Sequence, residues 1–66
     1  MEKNRDIRNK IHKLCDTMIK IGNENNLESW LKLSKEWKEE SDEIIKKISI
    51  YEKQLKDLYN KIYTVF

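Results

Sequence analysis

From Leu27 to Val65, core-type positions recur at alternating steps of three and four: 27, 30, 34, 37, 41, 44, 48, 51, 55, 58, 62 and 65. Ten of these twelve positions are apolar or aromatic, and Ser34 and Ser41 fill the other two. No Gly or Pro interrupts the run. A heptad pattern held this long predicts one continuous helix over about 27–64 with a coiled-coil-like seam.

A shorter pattern precedes it. Ile7, Ile11, Leu14, Met18 and Ile21 share one helical face, so a first helix is expected over about 5–21. Asn4 stands where a cap belongs, and Asp6 falls in the first turn, on the favourable side of the dipole. Gly22, the only glycine, is placed to end this helix in a left-handed C′ conformation. Residues 22–26 then read as a tight loop. Asn25 and Glu28 have the spacing of a capping box for the second helix.

These elements predict an all-α fold, a single domain over residues 1–66 built as an antiparallel helical hairpin. Its arms are unequal. Seventeen helical residues span ~25 Å and thirty-nine span ~58 Å, so helix one covers the second helix only to about Ile45. Ile48, Tyr51, Leu55, Leu58, Ile62 and Val65 would be left as an apolar stripe in water, which folded proteins avoid. The expectation is that this stripe is the interface of a homodimeric helical bundle. Docking of the stripe on another protein, and a break near Ser49 giving a three-helix monomer, are the other arrangements weighed.

Composition strengthens the case for a partner. A chain of 66 residues rarely gains more than ~3–5 kcal/mol from one core without a disulfide, a metal or oligomerisation. Cys15 is the only cysteine and His12 the only histidine, so neither an intrachain disulfide nor a structural zinc site is expected, nor any other cofactor. There is no apolar run long enough to span a membrane and no apolar core of a signal peptide near Met1. The expected location is therefore cytoplasmic. The absence of Ala and Pro points to coding bias in an AT-rich genome, a phage or mobile element among the sources.

Charge is blocked along the chain. Residues 1–22 carry six basic and three acidic side chains, residues 23–45 three and seven, and residues 46–66 five and two. Helix one and the first half of helix two are thus complementary, which sets register and orientation more than affinity.

Four sets of residues carry candidate chemistry. Trp30 and Trp37 lie one heptad apart and alternate with Ser34 and Ser41, as in a packed seam. An indole edge left open there would serve as a protein-binding anchor, with Glu36 and Glu40 beside it. His12, Cys15 and Asp16 fall within one turn, the makings of a nucleophile with its base or of half a metal site shared across a dimer axis, but without oxyanion donors they read as a surface histidine beside a buried or half-buried cysteine. The acidic run of Glu36, Glu39, Glu40, Asp42 and Glu43 is interleaved with Lys35 and Lys38 and reads as a solvated face. Lys46, Lys47, Lys53, Lys56 and Lys61 suggest a nucleic-acid accessory role, against which stand the interspersed acids and a net charge of only +2.

The stretch Leu33-Ser34-Lys35-Glu36-Trp37-Lys38 resembles the Ser-Gln-Glu-Leu-Asp signature of the small aspartyl-phosphate phosphatases of spore-forming bacteria, which are helical hairpins of similar length. Ser34 and Glu36 match it, Trp37 replaces the leucine, and Lys38 stands at the aspartate. The resemblance implies a regulator that removes phosphate from a receiver domain, with Ser34 and Glu36 at the contact. The reading taken from the residues themselves is different: a non-enzymatic, homodimeric protein-binding module that regulates or inhibits a larger protein, with neither nucleic acid nor membrane as its partner.

Overall fold

A computed structural model describes residues 4–47 and 52–65, the side chain of Glu52 aside. It contains three helices: α1 (Asn4–Asn25), α2 (Glu28–Ile45) and α3 (Glu52–Val65). Among the described residues there is no strand, and no helix is long and apolar enough to cross a membrane. The molecule measures 37 × 19 × 15 Å, which leaves no room for a rod of ~58 Å.

The continuous second helix expected from the heptads is therefore replaced by two helices. α2 ends at Ile45, and Lys46 and Lys47 form a turn and bend capped by backbone bonds from Lys46 N to the Asp42 carbonyl and from Lys47 N to the Ile44 carbonyl. Ser49, where a break was considered, lies outside the described residues, as do Ile48 and Tyr51. The heptad phase did not reveal the turn because a chain can fold back without losing it. Both halves still need an apolar stripe, and here each stripe faces the same core.

α1 is also longer than its pattern indicates. It runs past Gly22 to Asn25 and ends at Asn26, whose φ of 55° puts it in the left-handed region. Leu27 N donates to the Gly22 carbonyl at 2.8 Å, the six-to-one bond of a Schellman stop with Asn26 at C′. Asparagine tolerates this conformation better than most residues, so the stop did not need the glycine. The expected capping box is absent as well: Asn25 donates through Nδ2 to the Ile21 carbonyl at 2.9 Å, inside α1. Gly22 serves packing instead. A Cβ there would lie 3.0 Å from Leu31 Cδ2 and 3.3 Å from the Leu27 carbonyl oxygen, so the missing side chain lets the start of α2 close onto α1.

The core joins all three helices. Ile7, Ile11, Cys15 and Met18 of α1 meet Trp37 of α2 and Leu55, Leu58 and Ile62 of α3. Cys15 and Gly22 are buried at the centre of the α1 stripe, while Leu14 and Ile21 flank it half-buried. The centre of the α2 face is narrow: Ser34 and Ser41 are fully buried on either side of Trp37. Their hydroxyls donate to their own helix, Ser34 to the Trp30 carbonyl at 2.6 Å and Ser41 to the Lys38 carbonyl at 2.8 Å. Backbone bonding of this kind lets a small polar residue be buried without a partner on the facing helix.

Candidate functional site

The polar groups of the α1/α2 seam are spent on holding the two helices together. Asp42 of α2 lies 3.0 Å from His12 Nε2 and 3.6 Å from Arg8 Nη1, both on α1. One step further along the antiparallel pair, Lys38 Nζ of α2 donates to Asp16 of α1 at 2.8 Å. Arg8, His12 and Asp16 fall at four-residue spacing, so they line one edge of α1. Lys38 and Asp42 do the same on α2. The charge complementarity read between these segments thus takes the form of a two-rung clamp.

This geometry takes apart the His12–Cys15–Asp16 set. His12 turns to Asp42 and Asp16 to Lys38, while Cys15 points into the core, fully buried. Burial pushes the Cys15 thiol up to about 11, with nearby Asp16 adding to the rise and Lys38 opposing it. A thiol held protonated in this way is a small core hydrophobe and a poor nucleophile. Among the described residues, no group of three or more His, Cys, Asp or Glu side chains is gathered to hold a metal ion.

The residues considered for a protein partner separate. Trp37 is 5% exposed and belongs to the core. Trp30 is half-buried against that core, and Glu36 and Glu40 are exposed on the outer face of α2. Ser34, the residue matching the phosphatase-like signature, is fully buried with its hydroxyl committed to Trp30, and Lys38 at the aspartate position is tied to Asp16. Of the two residues that match the signature, Glu36 faces solvent as the resemblance requires and Ser34 does not.

The residues considered for a dimer seam separate too. Leu55 and Ile62 are fully buried and Leu58 nearly so, all inside their own chain. Val65 is exposed, and Ile48 and Tyr51 lie outside the described residues. The stripe that looked naked on an extended helix is largely covered by α1 and α2.

Two surfaces then stand out, and neither is visible in the sequence because each is made by the packing of two separate helices. The first is a groove of about 500 Å³ between α2 and α3, with Ile44 and Leu58 at its base. Its rims carry Glu40 and Glu43 from α2, Lys47 from the bend after it, and Gln54, Asp57 and Lys61 from α3. The second lies between α1 and α3, where two hollows share Lys10 and Tyr59 as common walls. Glu40 alone among the expected partner-binding residues lines either surface. Comparison of the chain with protein-family models, with curated proteins and with solved structures found no match in any of the three.

Proposed function

We propose that this protein acts by binding rather than by catalysis, as a small module that docks on a larger protein and regulates or inhibits it. The observation that carries this reading is the α2/α3 groove. It has an apolar base and a charged rim, the arrangement that receives the apolar face of an amphipathic helix. Three carboxylates against two lysines along the rim favour a partner helix bearing more basic than acidic side chains. Glu36 lies one turn from Glu40 on α2 and extends that acidic rim.

Self-association was expected because the C-terminal stripe had nothing to cover it. Leu55, Leu58 and Ile62 packed within their own chain remove that requirement, so the working form carried forward is a single chain. Light scattering after size exclusion at micromolar concentration should give the mass of one chain. A stable dimer would return the stripe to the role of a shared seam.

Docking itself is tested by photo-crosslinking in the host. A photoreactive residue in place of Gln54, in the groove, should give one adduct with a larger protein. The same group in place of Lys32, on the outer face of α2, should not. Reversing the rim with Glu40→Lys and Glu43→Lys should abolish the adduct while leaving helicity intact. Adducts that are equal from both positions, or that survive the reversal, would reject the groove. Accelerated loss of phosphate from a receiver domain would reject the non-catalytic reading altogether.

A further inference from the structure

The α1/α3 surface differs in kind from the α2/α3 groove. Among the described residues, its two hollows, of about 230 and 260 Å³, are lined by Lys10, Lys13 and Lys56 and by no carboxylate. Asp6, one turn before Lys10, marks the N-terminal edge of this basic zone. Tyr59 forms the wall common to both hollows and is half-buried. Tyr63 stacks with it, ring centroids 5.9 Å apart and planes inclined by 28°. Tyr63 is 62% exposed, so the stacked pair offers open aromatic surface at the edge of hollows that three lysines line.

We infer that this face binds single-stranded nucleic acid, with phosphates on Lys10, Lys13 and Lys56 and a base stacked on the Tyr59–Tyr63 pair. Aromatic platforms beside a basic track are how single strands are held without sequence preference, since every base has a π-face. An acidic peptide satisfies the lysines but makes no use of the ring faces. A duplex keeps its bases inside and leaves the tyrosines idle. The two tyrosines are four residues apart on α3, and the lysines come from both helices, so the surface exists only when α3 is packed on α1. This binding is independent of the groove between α2 and α3, which lies on the other side of α3.

The test is fluorescence anisotropy with a labelled oligo(dT) of about 15 nucleotides, against a duplex of the same length, from about 50 mM salt upward. The single strand should bind and the duplex should bind distinctly less. Three phosphate contacts give a log–log salt slope of about −2. Lys10→Gln with Lys56→Gln should flatten that slope by more than one unit, while Lys32→Gln with Lys35→Gln, an equal loss of charge on α2, should change it little. Tyr63→Ala should weaken binding about fivefold or more with the slope unchanged, and Tyr63→Phe should restore it. Because Tyr63 is exposed, that pair decides the matter even if the lysine variant loses helicity by circular dichroism. No binding, equal binding of the duplex, displacement by polyglutamate at matched charge, or an unaltered Tyr63→Ala variant would each overturn the inference.

Discussion

α2 and α3 are both packed on α1, but by different means. The α1/α2 seam combines apolar contacts with the Asp42 and Lys38 rungs and closes tightly where Gly22 and the two buried serines leave no bulk. α3 is anchored chiefly by Leu55, Leu58 and Ile62, with Tyr59 at the margin. Charge pairs at fixed spacing hold α1 and α2 in one register, because a slip by one turn would part each of them. An apolar stripe imposes no such condition and accepts any surface that covers it. α3 is thus held by its apolar stripe, and the surfaces proposed above for function both depend on where it packs.

The largest effect should come from emptying that stripe. Leu55→Ala removes a fully buried side chain, a change that costs about 2–5 kcal/mol. A domain this small holds about 3–5 kcal/mol in all, so the variant should be largely unfolded or close to it. Urea titrations followed by circular dichroism, run at two protein concentrations, separate the alternatives. If α3 packs on its own chain, the midpoint is the same at both concentrations. A midpoint that rises with concentration would mean that Leu55 is buried between two copies, and the contrast between α2 and α3 would become one between a fold and an interface.

Cys15 provides a gauge of the core that the three helices share. With its thiol raised to about 11 from an ordinary 9, the folded protein at pH 8 carries about a hundredfold less thiolate than an exposed cysteine. Alkylation should be slow until urea opens the core and then become fast. The sign of the pH effect follows from the direction of the shift. A raised pKa favours the protonated native state, so this contribution to stability is intact below about pH 9 and is lost as pH rises through about 11. Alkylation in native buffer as fast as that of a free thiol would mean that the core opens readily, as it would if α3 were loosely held.

How far the sequence carries can be judged from these same residues. Helix type, the turn near Asn26 and the pairing of basic α1 with acidic α2 follow from local spacing and charge, and each has a direct physical cause. The fold-back between Ile45 and Glu52 does not, because the heptad phase continues through it without a Gly or Pro. Leu55, Leu58 and Ile62 read in the sequence as the seam between two chains, and they lie buried in the core of one. What they pack against is a property of the three-dimensional path, which periodicity along one helix does not encode. The exchange of roles on α1 has a similar origin. Cys15 and Gly22 carry little hydrophobic signal, yet they hold the centre of the stripe because small residues permit close approach. The α1/α3 and α2/α3 surfaces were illegible for a simpler reason, since each joins side chains from two helices only after α3 has turned back.

The smallest effect should lie in the clamp itself. Asp42→Asn keeps the size of the side chain and some hydrogen bonding to His12 but removes the charge facing Arg8. The Asp42 side chain is 45% exposed, and pairs in such positions contribute about 0.2–1 kcal/mol, less in salt. The variant should lose a few tenths of a kcal/mol at low ionic strength, and the deficit should vanish near 1 M salt, where the screening length falls to about 3 Å. The deficit of Leu55→Ala should persist under the same conditions, because burial of apolar surface is not screened. If instead Asp42→Asn proves as damaging as Leu55→Ala and insensitive to salt, the carboxylate is a buried structural partner, and α2 is held to α1 by the same kind of all-or-none contact that holds α3.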